Sequence, residues 1–418
     1  MADRPRIVIL GGGFAGLGAA AKLKHADAEL VLIDKHDYHT FQPMLYQVAT
    51  DLIDPEEVGL PLRAEMRDHK DMTVHETVVT GIDLTNRQIQ TQDLAPITYD
   101  YLILSLGAQV NFFGTKGAEE HAFPLYTLPD AVRLKDHILQ MWEAADKNPA
   151  LVADGALNIV IVGGGPTGVE SAGALIELYR ANFVRDYPNL PAKDARIILV
   201  ESEPALLGMF KKEVQTYAKG TLEKLGVEVQ LGERVVEIDS TRATLNSGAV
   251  LQAQTLVWAA GLQANALVHA LGIPLQHGAR IAVGPDLSLD GHPEVFVVGD
   301  VASITDTKTK QVLPQLGAVA LQAGEQAGEN IARRVDGKET EPFHYFDKGT
   351  MATIGRGAAV AQLPGGIVMK GRIASLAWGA VHLALLTGGD SRAKTMVDWG
   401  WAAITRRRMA RVSVDTGE

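Results

Sequence analysis

Apolar residues in this chain gather in short uninterrupted runs that close on glycine. Ile7–Leu10 stops at Gly11, Leu157–Val162 at Gly163, and Glu294–Val298 at Gly299. Tyr99–Leu104 ends just before Gly107-Ala108, and Thr255–Trp258 just before Gly261. Unbroken runs of this length, rich in β-branched residues, predict buried strands rather than half-exposed ones. Between them the apolar spacing changes to a helical period, predicting helices over Leu128–Ala145, Val169–Tyr179 and Pro314–Arg334. Ala28–Ile33 and Ala195–Val200 predict strands that close on an acid, and Thr73–Thr91, Val227–Val236 and Ala243–Leu245 predict further β structure. Lys35–Thr50 is dense in aromatics and has no clear period, which predicts a packed loop; Asp54–Pro61 predicts a turn leading into a short helix. Alternating strands and helices predict an α/β fold.

The glycines at two strand ends have a specific spacing. Gly11, Gly13 and Gly16, with Phe14 and Ala15 between the last two, form G-x-G-x-x-G after a strand and at the opening of a helix. The first glycine permits the tight turn, the second lets a pyrophosphate reach the backbone, and the third lets helix and strand pack closely. The free N–H groups of the helix start then face the phosphates. Asp34, followed by Lys35, ends the next strand 18 residues after Gly16, where a carboxylate can accept hydrogen bonds from a ribose. The unit recurs as Gly163, Gly165 and Gly168, with Pro166 and Thr167 between. Proline at an early helical position costs little, because its missing N–H would be unpaired there. The matching acid, Glu201, lies 33 residues beyond Gly168, the excess being Arg180–Asp194, which reads as a helix extension and loop. Glu201 and Glu203, with no arginine beside them, favour NADH over NADPH. Two complete fingerprints predict two bound dinucleotides. Gly299-Asp300 at a late strand end returns an acid towards the first of them, where it can bond a ribityl or ribose hydroxyl, and the helix after Pro314 aims its N–H groups at an electron-rich ring edge. Glu170, just past the third glycine, either complements the helix dipole or stands near the nicotinamide or acceptor; Gln322 on the later helix reads as a solvated surface residue.

Composition narrows the class. Over 418 residues the net charge is −11 and no cysteine occurs, which excludes disulfides, thiolate metal sites, iron–sulfur ligation and dithiol chemistry. The acidic balance argues against a nucleic-acid partner. His36 and His39 lack companions at ligand spacing, so no metal site is expected.

With these residues in place the chain resembles the type II NADH dehydrogenases, single-subunit NADH:quinone oxidoreductases that pump no ions. The resemblance spans nearly the whole length and is most specific at DKHDYHTFQPMLYQVAT (Asp34–Thr50), GGGPTGVESAGAL (Gly163–Leu175), VFVVGDVA (Val295–Ala302) and YFDKGTMATIGRGAAVA (Tyr345–Ala361). It implies two Rossmann-like domains. FAD is held by the first fingerprint, Asp34 and Gly299-Asp300, and NADH by the second fingerprint. Residues matching Phe41, Gln42 and Pro43 through Tyr46, together with Lys348, would lie near the isoalloxazine, and Glu170 and Gln322 near the acceptor. The paired-glutamine pattern A-Q-x-A-x-Q of the family's quinone-site helix departs here: Gln322 is present, but Ala318 stands at the first glutamine. The implied reaction passes a hydride from NADH to FAD and two electrons on to a membrane quinone. A soluble acceptor, which Ala318 would favour, and a non-enzymatic NADH-responsive flavoprotein are the competing readings.

The expected organisation is an FAD domain in two parts (1–112 and 284–340), an NADH domain (113–283) and a C-terminal region (341–418). Ile373–Thr387 is an apolar run of 15 residues, too short to span a bilayer. With Trp378, Trp399, Trp401, Arg406, Arg407, Arg408 and Arg411 it predicts helices lying in the membrane interface, for which a homodimer contact is the competing use. The resemblance places this segment on the cytoplasmic face of the cell membrane.

Overall fold

The structure, a computed structural model, describes residues 4–405 apart from Ala192. The arginine cluster at 406–411 lies outside the described residues. The chain forms two compact units: residues 1–40, 60–109 and 262–347 in one, and 41–59, 110–261 and 348–418 in the other.

The first unit is built on a six-stranded sheet in the order Ser288–Leu289, His292–Val297, Tyr101–Leu104, Arg6–Leu10, Glu29–Asp34, Met72–Glu76. Every pairing is parallel except the edge hairpin of the first two strands. Ile7, Val8, Ile9 and Leu10 are wholly buried, which is why this run shows no alternation. Arg6–Leu10 pairs on opposite sides with Glu29–Asp34 and Tyr101–Leu104, so the connections diverge at its carboxyl end, where ligands bind in open α/β sheets. The helix leaving it, Phe14–Leu23, packs against the late helix Gly317–Val335 at backbone distance. A Cβ on Gly324 would lie 2.0 Å from the Ala15 carbonyl oxygen, and one on Gly328 would lie 2.6 Å from that of Ala19. The late helix starts at Gly317, three residues past the expected Pro314.

The second unit repeats the plan. Its parallel five-stranded sheet runs Phe123–Pro124, Thr255–Trp258, Ile159–Val162, Ile197–Glu201, Glu228–Leu231. The helix Leu128–Lys147 is started by a capping box between Thr127 and Asp130. The second fingerprint helix, Pro166–Leu178, continues as a π-helical turn over Tyr179–Phe183. An antiparallel sheet of Thr350–Thr353, Ala359–Gln362 and Val368–Gly371 leads into two C-terminal helices, Arg372–Leu385 and Gly389–Thr405.

The stretch expected to be a packed loop, Lys35–Thr50, is largely structured. It carries a strand at Tyr38–Thr40, a 3-10 turn at Gln42–Met44 and a helix at Leu45–Ala49 whose five residues are all buried. Helices this short hold by burial rather than by period, so the pattern did not show it. The turn expected at Asp54 does lead into a short helix, Pro55–Val58, with Asp54 and Glu57 as a capping box. The last helix docks there: Thr395 Oγ1 donates to Glu57 Oε2 at 2.6 Å, and Lys394 Nζ meets Asp54 Oδ2 at 2.6 Å. Burial lifts the Glu57 carboxyl to about 7.

Candidate active site

The two fingerprints fold into matching cradles. Gly11 and Gly163 take φ of +103° and +108°, where only glycine is unstrained. Gly13 and Gly165, in extended conformation, begin their helices with no side-chain cap and no acid in the first turn, which leaves the first N–H donors to an incoming anion. Nothing lies within 4 Å of where a Cβ on either would stand, so the space before them is open to a phosphate. Gly16 and Gly168 are the close-packing members: a Cβ on each would sit 1.8 Å from the carbonyl oxygen of Gly11 or Gly163.

The two acids are held alike. Asp34 Oδ2 accepts from Gly12 N–H at 2.6 Å and Oδ1 from His36 N–H at 2.9 Å. Glu201 Oε2 accepts from Gly164 N–H at 2.5 Å, and Oε1 from Glu203 N–H at 2.8 Å and from Ser202 Oγ. Each carboxylate is fixed at the mouth of its glycine loop with lone pairs left for hydroxyls. Ribose hydroxyls can donate to these carboxylates at both places, and the acids at 201 and 203 disfavour a 2′-phosphate at the second.

Around the first cradle, Phe14 meets the His39 ring edge-on at 5.0 Å, and His39 Nδ1 lies 3.0 Å from the Gly12 carbonyl oxygen. Lys35 is exposed beside Asp34. Gly299 adopts φ +74° against Ala15, and the Asp300 carbonyl accepts from Gln315 Nε2 at 2.9 Å. Gly107 lies in the link between Tyr101–Leu104 and the strand Ala108–Val110, and its carbonyl accepts from Asn265 N–H. The late helix starts at Gly317 with neither a side-chain cap nor an acid in its first turn. Gln322 is not simply solvated: its Nε2 donates to the Phe346 carbonyl at 3.1 Å and its Oε1 accepts from Phe346 N–H at 3.0 Å. This glutamine pins the irregular 343–347 segment to the late helix.

In the second unit, Pro166 and Thr167 occupy the first turn after Gly165. Gly261 adopts φ +70° and faces the Phe113 ring, which a Cβ would approach to 2.2 Å. Phe41 is buried edge-on to His382, Gln42 is exposed, Pro43 is partly buried and Lys348 is exposed.

Glu170 is not in the first turn of its helix, which begins at Pro166, so the expected dipole role gives way. Its side chain is buried, and Oε1 accepts from Thr353 N–H at 3.1 Å. Burial pushes the carboxyl up to about 8, so it is neutral at physiological pH. It lines a cavity of about 950 Å³ whose wall includes Tyr46, Gln47, Asn182, Arg180 and Thr353 and, from the C-terminal helices, Trp378, Leu383 and Trp399. Asn182 Oδ1 and Trp378 Nε1 are buried there without a protein partner. Tyr46, Gln47 and Thr353 carry no signal as wall residues beyond their place in the long motifs, and Asn182 lies outside those motifs.

Residues 5–324 match the pyridine nucleotide-disulphide oxidoreductase family, and residues 347–408 match the NDH2 C-terminal domain. The type II NADH:quinone oxidoreductase Ndh of Mycobacterium tuberculosis is 36% identical, over 97% of this chain and 89% of that protein. The chain belongs to the type II NADH:quinone oxidoreductases. The corresponding enzyme of Staphylococcus aureus is 31% identical over 84% of this chain and 88% of its own. The fold is that of NDH2 from Plasmodium falciparum, solved in complex with NADH, with a TM-score of 0.89, 19% identity and coverage of 97% of this chain and 100% of that one. As a type II NADH:quinone oxidoreductase the chain uses FAD and oxidises NADH at the expense of quinone. The absence of cysteine fits this branch of the fold, since reduction here needs no dithiol.

Proposed function

We propose how the enzyme's work is divided among its residues. Gly11, Gly13, Gly16, Asp34, Gly299 and Asp300 hold FAD, and Gly163, Gly165, Pro166, Thr167, Gly168 and Glu201 hold NADH. FAD, when bound, supplies the two-electron relay between the nicotinamide and the quinone. Phe14, Ala15, Lys35, Phe41, Gln42, Pro43, Gly107, Ala108 and Gly261 flank the cofactors, with Lys348 near the isoalloxazine and Gln322 near the acceptor, as the family resemblance implies.

The quinone is received in the cavity that Glu170 lines. The observation that carries this reading is a carboxyl held neutral by burial inside a largely apolar cavity walled by the C-terminal helices. Quinone reduction takes up protons as well as electrons. Because Glu170 Oε1 accepts from the Thr353 backbone, the carboxyl proton resides on Oε2, where it can be offered to a carbonyl oxygen. Leu383→Trp, which fills the cavity from the apolar side, is expected to raise the quinone KM at least tenfold. The rate with ferricyanide, which needs no apolar site, is measured alongside. A parental quinone KM in that variant overturns the assignment.

The same helices are proposed to seat the enzyme on the cytoplasmic membrane surface as a peripheral protein. Ile373, Leu376, Val397 and Ile404 are exposed, Leu376 at 76% and Ile404 at 84%. Among the described residues no helix is long and apolar enough to cross a membrane. Trp401 is exposed on this face, whereas Trp378 and Trp399 turn inward. An apolar surface of this kind is costly in water and is relieved in the interface. Replacing Leu376 and Ile404 together by Asp is expected to move the enzyme from the pellet to the supernatant when it is sedimented with anionic vesicles; unchanged sedimentation contradicts the proposal. A homodimer remains the competing use of this face, and in that case the double variant changes the sedimentation coefficient without vesicles.

A further inference from the structure

The cavity wall contains a chain of hydrogen bonds whose direction can be worked out. Trp399 Nε1 lies 2.7 Å from Gln47 Oε1, Gln47 Nε2 lies 3.0 Å from Tyr46 Oη, and Tyr46 Oη lies 2.9 Å from Thr353 Oγ1. An indole nitrogen can only donate. The Gln47 amide must therefore turn its oxygen to Trp399 and its NH₂ to Tyr46. Tyr46 Oη accepts from Gln47, and its own hydrogen has Thr353 Oγ1 as its acceptor. A phenol is the more acidic of the two hydroxyls and the better donor, so Tyr46 donates to Thr353. Each hydrogen from Trp399 onward thus points the same way. Thr353 Oγ1 is the last acceptor in the series, and its own hydrogen has no acceptor among the described residues. Thr353 and Tyr46 both line the cavity, and Thr353 N–H holds Glu170.

We propose that the Thr353 hydroxyl is a quinone-binding residue: it donates a hydrogen bond to a quinone carbonyl oxygen beside Glu170, and Gln47 and Trp399 are positioning residues that keep that hydrogen directed into the cavity. The proposal rests on the reading of this cavity as the quinone site. It accounts for why three polar side chains, Gln47, Tyr46 and Thr353, are buried in series in this wall. A series of this kind is costly unless each member is satisfied, and here the final donor is satisfied by the carbonyl of a bound molecule. It also links the seating of the last helix, through the Trp399 indole, to the acceptor site.

The test uses the FAD-loaded full chain and a short-chain benzoquinone. Each quinone rate is divided by the same variant's rate with ferricyanide, so that loss of flavin or of folded protein cancels. Thr353→Val is isosteric and lacks the hydroxyl; it is expected to raise the quinone KM five- to tenfold, the usual value of one hydrogen bond. Thr353→Ser is expected to keep a KM near the parent's. Trp399→Phe, which retains a ring and loses the donor, is expected to raise KM in the same direction. A parental KM in Thr353→Val, or an equal rise in Thr353→Ser, overturns the inference. If Leu383→Trp blocks quinone turnover while Thr353→Val does not alter KM, this inference fails and the cavity assignment stands. If Leu383→Trp has no effect, both fail.

Discussion

Placing a methyl group on Gly168 is expected to leave the purified protein yellow and to stop NADH from bleaching it. The added Cβ would lie 1.8 Å from the Gly163 carbonyl oxygen, an atom of the rigid turn at φ +108°. The helix start must then back away from the strand, and the N–H donors at Gly165 and beyond move with it. Losing two charge-assisted hydrogen bonds to a pyrophosphate costs about 3 kcal/mol, or roughly a hundredfold in NADH affinity. The FAD cradle belongs to the other compact unit and keeps its own glycines, so the flavin absorbance should persist. The mirror substitution, Gly16→Ala, meets the Gly11 carbonyl at the same 1.8 Å and should yield colourless protein instead. Gly220→Ala is the control. It lies in the helix Lys212–Leu225 with nothing within 4 Å of the new Cβ, so it should leave NADH reduction intact and stabilise slightly. The measurement is the decay of flavin absorbance against NADH concentration. A Gly168→Ala protein with the parent's NADH dependence would show that this loop does not grip the pyrophosphate.

Those cradles were legible because their physics is local. Strand, three glycines, helix and acid lie within one βαβ unit, and only glycine serves at Gly11 and Gly163. The strand Thr255–Trp258 matched its expected bounds, the other single strands shifted by one or two residues, and the longer β stretch Thr73–Thr91 divides into three strands. The cavity was not legible. Tyr46 and Thr353 share a hydrogen bond across 307 residues of sequence, and no spacing rule reports such a pair. The five-residue helix carrying Tyr46 and Gln47 is held by burial of all its residues rather than by a period. Glu170 was visible as a residue type, but its chemistry depends on what covers it. The same carboxyl at the exposed start of a helix would be an ordinary ionised acid. The inward turn of Trp378 is likewise a tertiary effect: it stacks on His382 at 3.9 Å, and burial holds that imidazole neutral, its pKa lowered to about 4.

Quinone turnover is expected to fall as the pH rises through about 8, and Glu170→Gln is expected to remove that limb while lowering turnover about a hundredfold at neutral pH. The argument starts from burial, which penalises the charged carboxylate, whereas the Thr353 N–H only partly offsets it. Below the shifted pKa the group keeps a proton to offer to the developing quinol oxygen. Above it, the group is an anion in an apolar cavity that can neither donate nor readily tolerate the negative charge arriving on the quinone. Glutamine keeps the shape and the hydrogen bond from Thr353 but has no proton to give, so its turnover is low and insensitive to pH in this range. The rate with ferricyanide, which takes up no proton, should show no limb near 8 in either protein. Stability carries the same signature with a fixed sign. Between the ordinary carboxyl range and about 8 the folded chain holds a proton that the unfolded chain has lost, so the stabilisation is complete at the acid end and is lost as pH rises through the folded value. The parent's Tm should therefore decline relative to that of Glu170→Gln between pH 6 and 9. Parallel Tm curves, together with a quinone limb that survives in Glu170→Gln, would place the titrating group elsewhere in the site.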